Sequence, residues 1–259
     1  GPFHPERPER CDAALQGITA AVPAERLLRI APRRATDEEI RLCHTPEYVE
    51  TVKRDVVAGG GCLSTGDTDV CARSYEVALM AAGGLLQAAD AVMAGQVRNA
   101  FALVRPPGHH ASSDRGMGFC IFNNIAIAAR YLQRRYDLER ILIVDWDVHH
   151  GNGTQAIFDD DPTVFYFSTH QYPCYPGTGQ TREIGRDAGR GFTLNCPVAP
   201  GSGRVEIFAA FQEQLLPAMR RFKPQAVLIS AGFDARQADP VGNLCLTDRD
   251  FSDLTVMMM

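Results

Sequence analysis

The sequence predicts a single-domain α/β protein of three layers, with a central parallel sheet and helices on both faces. Three observations carry the prediction. Short apolar runs at 100–104, 141–144, 164–167 and 226–229 alternate with helical stretches, the order of a parallel sheet built from crossover units. The run Ile141-Leu142-Ile143-Val144 is continuous rather than alternating, as a strand buried on both faces is. Three of the runs empty into polar clusters, at His109-His110, at Asp145 to His149 and at Asp234, and open parallel sheets bind ligands beyond the carboxyl ends of their strands. At 259 residues the chain is long for a domain but ordinary for one α/β unit, and it shows no repeat, low-complexity segment or linker.

In chain order, the opening Pro2 to Arg10 is a proline- and charge-rich loop that enters a helix near Cys11–Ile18. A compact α/β protein that starts on such a loop implies a strand missing before it. Thr36-Asp37-Glu38-Glu39 has the capping-box pattern and starts a short helix. Pro46 suits the first turn of the next helix, which Gly59-Gly60-Gly61 ends. Residues 62–72 form a polar loop with Asp67 and Asp69 near its tip, and Ser74–Met93 is an alanine-rich apolar helix closed by Gly95. Gly83-Gly84 weakens that helix and points to close packing.

Ala100–Val104 is expected as a strand, delivering Arg105-Pro106-Pro107-Gly108-His109-His110, where the prolines force the chain out of regular structure. Asn123 or Asn124 then caps a helix running to about Tyr136. The strand Ile141–Val144 leads into a short helix through Gln155–Phe158. The strand Val164–Phe167 empties into Ser168-Thr169-His170 and a Tyr175-Pro176-Gly177-Thr178-Gly179 loop. A shorter strand at Phe192–Cys196, an amphipathic helix at Val205–Phe222 and a strand at Ala226–Ile229 complete the reading.

A net charge of −5 gives no basis for a nucleic-acid surface, which needs a basic excess. The eight cysteines show no Cys-x-x-Cys spacing, which argues against a structural zinc ribbon and for free thiols in a reducing compartment. No apolar run approaches the roughly 20 residues that span a bilayer, and there is no basic-then-apolar leader. The expectation is a cytoplasmic protein, a nuclear one not being excluded, with neither nucleic acid nor membrane as partner; oligomeric state is not legible.

The chemistry concentrates at 141–154. In extended chain, alternate side chains share a face, so Asp145, Asp147 and His149 point one way and Val144, Trp146 and Val148 the other. Capping roles for the aspartates and core roles for the histidines are the plainer reading of single residues. Two carboxylates and an imidazole converging at the end of a buried strand call for a cation. We expect Asp147, His149 and Asp234 to bind one divalent metal with a position left open, the arrangement of catalytic rather than structural zinc. His109 and His110 would supply the base that a metal-activated water needs and the acid that a leaving amine needs. Asp145 would orient a histidine from behind.

Arg105-Pro106-Pro107-Gly108-His109-His110, Gly118-Phe119-Cys120 with Asn123-Asn124, Asp145-Trp146-Asp147-Val148-His149-His150-Gly151-Asn152-Gly153 and Ser230-Ala231-Gly232-Phe233-Asp234 together resemble a zinc-dependent histone deacetylase, class II in flavour or a bacterial relative, of the arginase/deacetylase fold. The resemblance runs from His4-Pro5-Glu6-Arg7-Pro8 to Asp239-Pro240. It implies zinc on Asp147, His149 and Asp234, with His110 as general base and acid. His109 is then its companion, Asp145 a carboxylate partner, and Asn152 stands in place of a class I aspartate. Phe119 and Tyr175 would wall the acyl-lysine tunnel, with Gly118 beside the first. Asp67 or Asp69 would grip the substrate backbone. A structural potassium ion would take Ser168 and the carbonyls of Asp145, Asp147, His149 and Thr169, and an outer one would lie near Phe158, Asp161 and Val164.

The implied reaction is hydrolysis of acetyl-lysine in a peptide or protein. The alternatives are a small acetylated amine such as an acetylpolyamine, a two-manganese arginase-like hydrolase and a non-catalytic acyl-lysine reader. Arginase-like ligands would read Asp-x-His-x-Asp, whereas this chain has Asp-x-Asp-x-His. Val241 stands where polyamine-selective members carry a glutamate after Asp-Pro, which favours acyl-lysine. The family also completes its site with a Gly-Gly-Tyr turn. None of the seven tyrosines has that context, so the chain is expected to be a catalytic domain truncated at both ends.

Overall fold

Described over residues 4–259 in a computed structural model, the chain forms its first helices where local signals place them, the start of the proline-rich opening lying outside the described residues. Helix α1 spans Glu9–Ala21, longer at both ends than the sequence suggests. Helix α2, Asp37–Ile40, has the full capping box: Thr36 Oγ1 accepts from Glu39 N at 3.2 Å and Glu39 Oε2 from Thr36 N at 2.8 Å. Helix α3, Pro46–Ala58, is capped by the Thr45 side chain and ends on Gly59, whose φ of 69° is the left-handed value glycine adopts freely.

Helices α4, Ser74–Met93, and α5, Asn124–Tyr136, pack on each other. A Cβ on Gly83 would stand 2.1 Å from the Arg33 carbonyl oxygen, so the glycine in α4 is there to let residues 33–35 approach. Contrary to the sequence expectation, α4 is long and apolar enough, by length and composition alone, to cross a membrane. Its buried Ala78, Leu79, Ala82 and Leu86, and the bonds from Tyr131 and Tyr136 to its Asp90, are those of a core helix. The expected strand at 100–104 is absent: the segment makes no ladder, and Phe101 is exposed. An apolar run expresses a demand for burial; a strand also needs a neighbour to pair with, which its own sequence cannot supply.

The described residues pack as two compact units divided between Tyr136 and Asp137, and among them every strand lies in the second. Strands β1 (Ile141–Asp145), β2 (Val164–Gln171), β3 (Thr193–Val198) and β4 (Ala226–Ser230) form one parallel sheet in the order β3-β2-β1-β4, flanked by helices. The α/β class predicted from the sequence holds. Helix α6, Asn152–Phe158, follows β1. Between β3 and β4 the expected single helix is three pieces: α7 (Arg204–Ala209), a π-helical stretch Ala210–Leu215 and α8 (Leu216–Phe222). Pro217 accounts for the break, because its ring would clash with the carbonyl of Glu213 in an unbroken α-helix and a wider turn relieves it.

The face of α7–α8 carrying Ile207, Phe211, Leu215, Ala218 and Phe222 packs in one core cluster with Leu142, Val144, Trp146 and Val148. The alternation read from the sequence thus continues past the end of β1. Helix α9, Asp248–Met258, joins the cluster through Phe251 and Leu254. Register puts Asp145 between Ser168 of β2 and Ser230 of β4, so three polar residues align at the carboxyl ends of adjacent strands.

Candidate metal centre

At that edge, chain reversals after β1 and β4 bring Asp147, His149 and Asp234 together, with one donor atom of each within 4.8 Å of the others. His149 Nδ1 lies 3.0 Å from Asp147 Oδ1 and 3.1 Å from Asp234 Oδ2. Main-chain bonds fix the arrangement: Asp234 Oδ1 accepts from Val148 N at 2.9 Å, Asp147 Oδ1 from His149 N at 2.8 Å, and Gln171 N donates to the Val148 carbonyl at 2.9 Å. The three side chains are 15–17% exposed, dry enough to strengthen electrostatics yet open to an ion.

Burial opposes charge on His149, but the hydrogen bonds and charges of Asp147 and Asp234 overcome it and push its pKa up to about 11. Burial and the neighbouring Asp147 push Asp234 upward. A proton held among three donor atoms marks where a cation is wanted. On a tetrahedral zinc with ligand bonds near 2.0 Å, ligand atoms stand roughly 3.3 Å apart, so the two separations from His149 Nδ1 need only tenths of an ångström of adjustment. Two carboxylates and one imidazole therefore fit a divalent metal.

Asp145 is fully buried behind this cluster; its Oδ1 accepts from Asp147 N at 3.2 Å and its Oδ2 from the Tyr166 hydroxyl at 3.2 Å. Tyr175, 38% exposed, turns its ring edge-on to His149 with centroids 6.2 Å apart. Asn152 opens α6, and Val241 sits in the 239–242 turn, its N–H bonded to Asp239 Oδ1 at 3.0 Å. Ser168 is buried and bonded to His170 Nδ1 at 2.9 Å, with Thr169 next to it on β2.

The role of Gly232, which the sequence shows only as part of the Ser230–Asp234 run, is visible in the structure alone. A Cβ there would meet Asp147 Oδ2 at 2.1 Å, so the Ala231-Gly232-Phe233 segment passes directly against a ligand carboxylate. Also missed was a polar network behind Tyr175, made of His150, Gln155, Thr178 and Glu183. Its one sequence signal is the Gly177-Thr178-Gly179 triplet, since Gly179 takes φ 90°.

Within residues 1–136, His109 and His110 are both buried, their ring centroids 4.0 Å apart. Gly108 lets this turn pack on the start of α5, where a Cβ would stand 2.6 Å from Asn124 N. Gly118 and Phe119 both take left-handed backbone, φ 56° and 68°, and a Cβ on Gly118 would strike the His110 ring at 2.3 Å. Such a conformation in a phenylalanine is costly and is kept where surroundings impose it. Asp67 is part of that imposition, its Oδ1 accepting from Gly118 N at 2.8 Å. Asp69 is instead 75% exposed, with its carboxylate 3.8 Å from His4 Nε2.

A parallel α/β sheet with an Asp-His-Asp cluster at its carboxyl edge defines the protein as a candidate metal-dependent hydrolase. The histone deacetylase domain matches residues 4–259, and the chain belongs to that family. It is 44% identical over 264 residues to the polyamine deacetylase HDAC10 of Homo sapiens, covering 98% of this chain and 40% of that protein. It is 43% identical over 257 residues to a histone deacetylase-like amidohydrolase of Pseudomonas aeruginosa, covering 98% of this chain and 66% of the relative. Among solved structures, the HD domain of HDA15 superposes with a TM-score of 0.93 at 41% identity, over 98% of this chain and 75% of that one. The chain thus spans less than half of the human relative and about two thirds of the bacterial one.

Proposed function

We propose that this protein is a zinc-dependent deacetylase that hydrolyses an N-acetyl amide at the end of an alkylamine, as in acetyl-lysine. The observation that carries the reading is the convergence of Asp147, His149 and Asp234 at the sheet edge. Bound there, zinc supplies Lewis-acid polarisation of a carbonyl and a more acidic water. Asp147 and Asp234 give the centre its charge, and Asp145, bonded to Asp147 N, keeps the ligand loop in place.

His110 is assigned the proton transfers, taking one from water and returning one to the amine, with His109 as its companion. Support comes from the burial of both rings and from Gly118, whose lack of a side chain leaves room for the His110 ring. Exposed Tyr175 and Phe119 are apolar surfaces suited to the methylenes of a lysine stem. A potassium ion on Ser168 and nearby carbonyls is part of the same proposal. His170 Nε2 meets the Gly179 carbonyl at 2.8 Å and must donate to it, so Nδ1 accepts the Ser168 proton and leaves the serine lone pairs for a cation.

Acetylpolyamine is the second reading, favoured by the likeness to polyamine deacetylases of human, rat and mouse. Against it, Val241 offers no charge to a distant ammonium. The test is kcat/KM on an acetyl-lysine peptide and on acetylspermidine, before and after zinc is stripped and restored. We expect zinc-dependent turnover by the full-length protein, with the peptide preferred. Preference for acetylspermidine overturns the substrate assignment, and turnover by zinc-free protein overturns the mechanism. Asp234→Ala should lose zinc and activity together, whereas full zinc content in that variant refutes the ligand assignment.

A further inference from the structure

We propose that Glu183 and Gln155, acting through His150, are positioning residues that hold the 172–180 turn and thereby aim the Tyr175 ring at the metal-ligand loop. The inference rests on the reading of Tyr175 as a substrate wall. The turn leaves β2 and reaches Glu183, whose carboxylate accepts from Gly179 N at 3.0 and 3.1 Å and from Gln180 N at 2.9 Å. The same carboxylate accepts a hydrogen bond from Gln155 Nε2 at 2.9 Å.

The direction of every further bond follows. With its amide nitrogen committed to Glu183, Gln155 presents Oε1 to His150 Nε2 at 2.9 Å and to Asn195 Nδ2 at 2.7 Å. His150 Nε2 is therefore the protonated nitrogen, and Nδ1 accepts from the Thr178 hydroxyl at 2.8 Å. Asn195 closes the ring by donating to the Glu183 carbonyl at 3.0 Å. Burial opposes the Glu183 charge, but the bonds from Gln155, Gln180 and Gly179 outweigh it and hold the carboxyl below its usual range.

Packing adds to the bonds. His150 and His170 are buried with ring centroids 4.7 Å apart. At Gly179 a Cβ would meet His170 Nε2 at 2.3 Å and His150 Cγ at 2.6 Å, so the turn's main chain lies on both rings. His150 directly follows His149, and Tyr172 N is tied to the Val198 carbonyl at 2.8 Å. One network thus joins the loop that carries a metal ligand to the C-terminal end of the turn that carries Tyr175. Hydrogen bonds that accept into an ionised, partly buried carboxylate are the strong ones, which suits Glu183 to this purpose.

The experiment compares wild type with Glu183→Gln, which keeps shape but loses the charge and one acceptor. Hydrogen exchange is followed at the amides between 174 and 180, together with zinc content and steady-state kinetics. Exchange there should quicken about tenfold or more, with zinc stoichiometry unchanged. KM should rise about tenfold with kcat within about twofold, and that rise should vanish when Tyr175→Ala is already present. Unchanged exchange at 174–180 overturns the proposal, as does an equal kinetic effect in both Tyr175 backgrounds. If wild type turns over neither acetylated substrate, the functional reading falls, while the exchange comparison still decides the positioning role. Should Glu183→Gln not fold, Thr178→Val removes only the hydroxyl that bonds His150 from an exposed residue, and the same exchange result is required of it.

Discussion

A single hydrogen atom decides much at Gly232. Replacing it with a methyl group puts carbon 2.1 Å from Asp147 Oδ2, and that carboxylate is already tied to His149 N through its other oxygen. It cannot swing aside without leaving the cluster. Gly232→Ala is therefore expected to weaken zinc binding by roughly 10–100-fold, the range seen when groups supporting metal ligands are altered. Competition with a chromophoric chelator measures it, and wild-type affinity would refute the steric argument. The candidate ligands were legible in the sequence because β periodicity and the polar end of an apolar run single out Asp147 and His149 within five residues. Gly232 was not, since its reason is a contact with a residue 85 positions earlier. Glu183 was hidden likewise, its three donors lying on Gly179, Gln180 and the distant Gln155.

Elements were legible where their signals are local. The Thr36 capping box, the Pro46 start and the Asn123 cap, one of the two asparagines expected there, fall where the sequence puts them, because each needs only residues within one turn. The run at 100–104 does not form a strand because pairing is not local, and the helix at 205–222 is interrupted because Pro217 stands inside an otherwise amphipathic run. Helix α9 offers a measurable case. Thr247 Oγ1 caps it by accepting from Asp250 N, and Asp250 Oδ2 returns to Thr247 N at 2.8 Å while Oδ1 pairs with Arg204. Through this corner α9 is held with Phe251 and Leu254 in the core. Thr247→Ala should cost about 1 kcal/mol in urea unfolding, the usual worth of a lost cap. A change below a few tenths would show that the Arg204–Asp250 pair alone suffices.

Across the whole molecule, each compact unit contains a buried histidine that must stay neutral. In residues 1–136, His44 Nε2 accepts from Asn123 N at 2.8 Å, and burial pushes its pKa down to about 4. In residues 137–259, His170 Nδ1 accepts from Ser168, and burial lowers its pKa to about 4 as well. Protonating either ring breaks the bond its acceptor nitrogen makes. An unfolded chain protonates histidine near pH 6.5, so acid favours the unfolded state throughout the interval between the two values. The stability each neutral ring contributes is complete above about pH 6.5 and is lost as pH falls toward 4, up to roughly 3 kcal/mol per histidine. Carboxylates and metal release also act in this range, so the comparison must be between variants. His44→Gln and His170→Gln each retain an acceptor but do not titrate. Both should be less stable than wild type at pH 7.5, and both should lose less stability between pH 6.5 and 4.5 than wild type does. Urea midpoints with parallel pH dependence in all three proteins would show that these rings are already accommodated in their charged form.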